Sequence, residues 1–270
     1  MLKAFRPSMS EDGLQETFVS HLVELRDRLL KCVWAFAIVF VLLFFVWPKG
    51  GAIYDFLAHP LTKALPEGTK MIATSVISPF VVPMKVTAMV AFMITLPWSL
   101  FQAWGFIAPG LYSHEKKLAL PLVVSSTVLF LTGIAFCYYL VFGRFFAFIN
   151  EWSPKSITPA PDIEAYLNFV LTMFIAFGVT FEVPVVVVVL CMFGIVTPEK
   201  LREWRGYFVV VAFVVAAVVT PPDVVSQVAL AVPMCLLYEL GLFFARFVTK
   251  RKFGAEGEEA AAEASAQRDA

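Results

Sequence analysis

A single carboxylate, Glu182, interrupts the apolar run "FGVTFEVPVVVVVL" at residues 177–190. A charge at the middle of a membrane helix costs about 2.5–3.5 kcal/mol on insertion scales, so such a group faces a partner or water, or is protonated. Its candidate uses are ion coupling, proton relay, or a polar contact for an inserted segment; a protonated structural hydrogen-bonder is the bland alternative. Two more carboxylates stand near the ends of apolar runs. Glu24 precedes Arg28 by four residues, the spacing of a helix-surface pair contributing about 0.2–0.5 kcal/mol. Glu115 follows Ser113, a candidate N-cap, and would complement the dipole of the helix that starts there. Chain parity puts both on the same side of the membrane. Paired acids there suit a cationic ligand, and arginine best, because its planar fork binds carboxylates bidentately. Gln227 can hydrogen-bond a neighbouring helix within the membrane, either as plain glue or as a contact for another chain.

The elements that must carry these groups follow from composition. The chain has 270 residues, 60% hydrophobic and 16% charged, where a soluble domain is about a quarter charged. That surplus of apolar surface calls for lipid. Six apolar runs stand out, at about 30–47, 77–107, 118–148, 163–193, 206–220 and 225–247. They exceed the ~9–11 residues of a barrel strand, so they are expected to be helices. An amphipathic stretch at 14–31, with Leu14, Phe18, Leu22, Leu25 and Leu29 at helical spacing, is expected to lie on the membrane surface before the first run. The fifth run has about fifteen residues, or about 22 Å of helix, short of a ~30 Å hydrocarbon core. "TPPD" at 220–223 then turns the chain back, with Asp223 able to cap the next helix. Pro83, Pro97, Pro121 and Pro184 offer kinks in the longer runs.

Charge sets orientation. Fifteen of the 21 Lys and Arg residues flank the runs on the side that holds both termini, five flank the other side, and Lys85 lies within the second run. This asymmetry predicts cytoplasmic termini. The outer segments at 48–76 and 149–162 are expected to form a cap. Residues 1–13 read as a flexible lead-in, 14–247 as one six-helix domain, and 248–270 as a basic anchor followed by a disordered acidic tail. Glu239 and Arg246, near the end of the sixth run, are expected to snorkel.

Enzyme motifs are missing: there is no G-x-S-x-G, H-E-x-x-H or Walker A pattern. The four cysteines lie inside apolar runs and His21, His59 and His114 are dispersed, so no metal or other cofactor is expected. Net charge is zero, which argues against nucleic acid.

Five stretches in order, "HLVELRDRLL" (21–30), "SPFVVPMK" (78–85), "FIAPGLYSHEKK" (106–117), "FGVTFEVP" (177–184) and "AVVTPPDVVSQ" (217–227), resemble the TatC family, the multi-spanning receptor subunits of the twin-arginine protein translocase. The resemblance covers about residues 14–247. It implies an all-α inner-membrane protein with six spans in a concave bundle, which binds twin-arginine signal peptides and supports transport of folded proteins driven by the proton-motive force. It implies single-span TatA/TatB-type partners and self-association. By residue, it assigns Glu24, Glu115 and Phe106 to signal-peptide binding, Glu182 to the intramembrane groove, Asp223 and Gln227 to partner contact, and Pro60 to the external cap. Ala216 and Ala217 stand where the family more often has Gly and Met. Two rival readings are an ion-coupled solute transporter using Glu182, which predicts inverted repeats, and a structural membrane scaffold without a ligand.

Overall fold

The computed structural model describes residues 11–45, 50–64, 71–107, 119–152, 154, 160–220 and 223–266. Glu115 lies outside them. The regular elements of the described residues are helices, with one isolated β-bridge between Ile72 and Asp162: α1 Glu11–Phe45, α2 Gly50–Ala64, α3 Ser78–Ile107, α4 Ala119–Phe136, α5 Phe142–Trp152, α6 Ile163–Phe181, α7 Val183–Met192, α8 Pro198–Glu203, α9 Arg205–Val219 and α10 Val224–Ala266. Five stretches are long and apolar enough to cross a membrane, and α9 is a shorter apolar helix of 15 residues.

Local sequence explains how the helices run. No Pro or Gly falls between Leu14 and Phe45, so the amphipathic stretch does not form a separate surface helix; it continues straight into the first apolar run as α1. α3 stays continuous through Pro83 and Pro97. Two threonines beside these prolines turn their hydroxyls back onto the helix: Thr87 Oγ1 donates to the Pro83 carbonyl at 2.7 Å and Thr95 Oγ1 to that of Ala91 at 2.8 Å. Pro121 sits in the first turn of α4, where no intrahelical N–H is lost. A π-helical segment, Cys137–Val141, joins α4 to α5. The acidic tail, expected to be disordered, continues α10 to Ala266. Its Ala- and Glu-rich sequence cannot build a core, but both residues are strong helix formers.

Packing centres on α6. Leu167, Val170, Met173 and Phe177 are fully buried there. α6 crosses α4 at a pair of glycines. A Cβ on Gly133 would stand 2.6 Å from the Phe177 carbonyl oxygen, and one on Gly178 would stand 2.5 Å from the Phe130 ring. Membrane helices lack a hydrophobic drive toward each other, so such close backbone approach is what holds them. α1 is peripheral: it packs antiparallel on α3, with Arg28 beside Gln102 at one end and Phe44 against Phe80 at the other. These two ends are called below the Glu24 end and the Asp162 end.

At the Asp162 end, α2 rests across the tops of α3 and α5. Two phenols pin it: Tyr138 donates to the Phe56 carbonyl at 2.8 Å, and buried Tyr166 to that of Leu57 at 2.9 Å. Pro60 falls inside this helix. Asp162 caps α6, accepting from the backbone N–H groups of Glu164 and Ala165, and ties down Thr74 through its N–H and hydroxyl. The Ala165 N–H, then the Thr74 hydroxyl and N–H, hold the Asp162 carboxyl at about 2. A depressed carboxyl contributes stability above its ordinary pKa of 3.8 and loses it as pH falls toward about 2.

Two outcomes are expected. Thermal unfolding of the purified protein loses stability over that acid window, and Asp162→Asn removes this part of the pH dependence. Gly133→Val lowers stability by about 1–3 kcal/mol through overpacking, whereas Gly143→Ala, with open space around it, is neutral or slightly stabilising.

Candidate functional site

The carboxylate in the fourth apolar run sits at a break. Pro184 has no N–H to give to the Thr180 carbonyl, and its ring crowds that group. α6 therefore ends at Phe181, Glu182 adopts φ −76° and ψ −13°, and α7 restarts with Pro184 in its first turn. Pro184 is the one proline of the four that separates two helices. The break leaves Glu182 half-buried, with Ser126 of α4 facing its carboxylate. Glu182 Oε1 is buried and has no hydrogen-bond partner.

At the Glu24 end, α1 and α3 bring together a second polar group. His21, Glu24 and Arg28 lie one turn apart on α1. They meet Gln102, Gly105 and Phe106 in the last turn and a half of α3. Arg28 grips Glu24 Oε1 with Nε at 2.9 Å and Nη2 at 2.7 Å, and extends Nη1 toward Gln102 Oε1 at 3.4 Å. The guanidinium lies directly over Gly105, where a Cβ would stand 2.3 Å from Nη1. Phe106 stacks on His21 at 4.2 Å between ring centroids. The i,i+4 pair expected from spacing is thus formed, and it has a third and a fourth member on α3. Whether Glu115 joins them falls outside the described residues.

Asp223 caps α10 by accepting from the Ser226 N–H at 2.7 Å. Gln227 Nε2 donates to the Phe213 carbonyl of α9 at 3.2 Å, so Gln227 binds the short helix to the long one. Ala212 and Ala216 line the buried side of α9. Val210, Val211, Val214 and Val218 are exposed, a face suited to lipid or another helix. Glu239 does not pair with Arg246; it binds Arg205 of α9. Sequence reasoning also missed a network between α3 and α6. Lys85 Nζ donates to Glu164 Oε1 at 3.0 Å and to Asn168 Oδ1 at 3.1 Å, while buried Ser78 donates to Glu164 Oε2 at 2.8 Å. A lone lysine inside the second run was the only signal for it. Among the described residues, no group of three or more His, Cys, Asp and Glu side chains could hold a metal ion.

A multi-pass, all-helical membrane protein emerges, with a broken helix that places a half-buried carboxylate at mid-span and polar clusters near both ends. Comparison with known proteins gives it a family. The family model for TatC, Sec-independent protein translocase protein, matches residues 20–233. The chain is 50% identical over 239 residues to the Sec-independent protein translocase protein TatC of Haemophilus influenzae, covering 88% of this chain and 92% of that one. It is 48% identical over 232 residues to the TatC protein of Escherichia coli K12, covering 86% and 89%. The crystal structure of a twin-arginine translocase receptor TatC superposes with a TM-score of 0.73 at 38% identity, over 85% of this chain and 99% of that one. The chain belongs to the TatC family of protein translocase components.

Replacing Glu182 by Met, close in volume, removes a buried oxygen that no group satisfies. The variant is expected to unfold at or above the wild-type temperature, by up to about 1–3 kcal/mol of added stability. A large loss of stability would mean that Glu182 is a structural hydrogen-bonder.

Proposed function

We propose that this chain is the receptor subunit that recognises twin-arginine signal peptides at the cytoplasmic face of the inner membrane, with both termini cytoplasmic and α9 serving as the short fifth of six spans. The observation that carries the reading is that a guanidinium already sits on Glu24 through two of its nitrogens. Both bonds fall on Oε1, so an incoming arginine can take Oε2 or displace Arg28. Glu115 supplies the second carboxylate for the second arginine. Phe106, stacked on His21, borders the dock and offers an aromatic surface to the residues beside the arginine pair.

The apolar part of the signal then enters the groove toward Glu182, whose unpartnered oxygen accepts a hydrogen bond from the inserted backbone or side chains. Single-span partners of the TatA/TatB kind contact the α9–α10 hairpin near Asp223 and Gln227, where a helix of 15 residues thins the adjoining bilayer. The chain itself hydrolyses nothing; the proton-motive force drives transport. Pro60 on α2 belongs to the opposite cap. Self-association of the chain completes the assembly, and no nucleic acid takes part.

Photo-crosslinking of an Arg-Arg signal peptide to the purified chain tests the dock. Glu24→Gln is expected to weaken capture about tenfold, as loss of a bidentate charge-assisted contact requires, and Glu24→Gln with Glu115→Gln further still. A Lys-Lys peptide should bind wild type as poorly as the Arg-Arg peptide binds the single variant. Equal capture by all three proteins would sink the proposal. For Glu182, export should fall in the order wild type, Gln, Ala.

A further inference from the structure

Away from the groove, a cavity of about 300 Å3 opens between the π segment with α5 on one side and the first turns of α10 on the other. Its lining is apolar, with Leu140, Phe145, Ala229 and Val232 prominent. Two polar residues break that lining, Arg144 and Ser226. Ser226 is fully buried, and its Oγ has no hydrogen-bond partner. A buried hydroxyl without a partner is uncommon enough to ask for one. Arg144 is exposed and forms no ion pair with a described residue.

Position narrows the ligand. Arg144 lies five residues before the end of its apolar stretch, Leu120–Ile149, and Ser226 lies two after the start of Val224–Val248. Both are therefore near the membrane boundary at the Asp162 end. Exposed Trp152 flanks the same boundary, as aromatic residues do at the headgroup level. An unpaired cation at headgroup depth, an apolar cleft running inward from it, and a hydroxyl at the cleft wall match the three parts of one molecule.

We propose that this cleft is a binding site for a phospholipid. The phosphodiester sits on the Arg144 guanidinium, an acyl chain fills the apolar cleft, and Ser226 Oγ donates to an ester carbonyl of the glycerol backbone. The Asp223 carboxylate does not oppose the phosphate within the cleft: it is turned to the α10 N-terminus, where Oδ1 accepts from the Ser226 N–H, and it does not line the cavity. The occupant binds α5 to the start of α10, the hairpin end that carries Gln227. This site does not depend on signal-peptide recognition, and its test is independent of that reading.

Native mass spectrometry of the detergent-purified full chain, titrated with phosphatidylglycerol, reads the site directly. Wild type is expected to retain one lipid that Arg144→Gln retains about tenfold less tightly, with Arg144→Lys intermediate. Ala229→Phe, which fills the cleft and leaves the cation, should remove the same lipid. Ser226→Ala should weaken retention a few-fold without lowering the unfolding temperature, since Oγ has no partner in the protein. Arg246→Gln, at the opposite end, should behave as wild type. Excess inorganic phosphate should not displace the lipid. Equal retention by wild type, Arg144→Gln and Ala229→Phe overturns the proposal. So does displacement by phosphate alone, which would mark an anion site, or crosslinking of Leu140→Cys to a second protein's helix in place of lipid.

Discussion

Pro184 is the constraint on which the bundle depends. By removing one backbone donor it splits a 30-residue apolar stretch, Ile163–Met192, into two helices with separate packing duties. α6 takes the interior position against α4 and α3, while α7 turns to pack on α10. An unbroken helix of that length would span the membrane with residues to spare and would have to tilt as one rod. The break instead re-aims the chain at mid-depth and leaves Glu182 at the corner, where no helix covers its carboxylate completely.

Most polar groups at membrane depth are satisfied across helices. Lys85, Glu164, Asn168 and Ser78 close a network between α3 and α6. Gln227 joins α10 to α9, and Arg205 joins α9 back to Glu239. Against that background four buried atoms among the described residues lack a partner: Glu182 Oε1, Arg205 Nε, Asp223 Oδ2 and Ser226 Oγ. Glu182 Oε1 lies at the break between α6 and α7, and the Asp223 and Ser226 atoms lie at the α9–α10 turn. Burying a polar atom without a partner costs about 1–3 kcal/mol, a cost that makes sense at surfaces whose partner comes from outside the chain. The satisfied groups hold helices together.

Much of the architecture was legible because lipid makes strong demands. Apolar runs had to be helices, and the expected bounds at 77–107, 163–193 and 206–220 fall within a residue or two of α3, α6 with α7, and α9. Asp223 reads as a cap because capping is local, and it caps. What escaped was pairing between distant segments. Nothing near Lys85 announces Glu164, 79 residues on, and nothing near Tyr138 or Tyr166 announces the α2 carbonyls they hold. The segment at 48–76 was expected only to form a cap; that it holds a helix, α2, through Pro60 depends on distant anchoring by two phenols. The Glu24–Arg28 pair was visible in spacing, but its closure by Gln102 and Gly105 depends on how α1 lies on α3.

That closure bears on how the proposed recognition of an arginine pair at Glu24 would work at little energetic cost. Glu24 is more than a third exposed, and its pair with Arg28 is of the kind that contributes only about 0.3–0.5 kcal/mol. Such a pair is easily exchanged, yet it keeps the carboxylate in the rotamer that a guanidinium fork requires. Gly105 extends the same logic to Arg28: with no side chain in the way, the guanidinium can settle against α3 in the absence of peptide, and Gln102 gives it a neutral acceptor to retain when Glu24 is claimed by another arginine. The resident arginine then neither blocks the dock nor is left without a partner. A carboxylate held open by a strong buried ion pair would need several kcal/mol to release it, and one held by nothing would lose rotamer entropy on binding. The arrangement at the end of α1 lies between those limits, where an incoming arginine pair can compete.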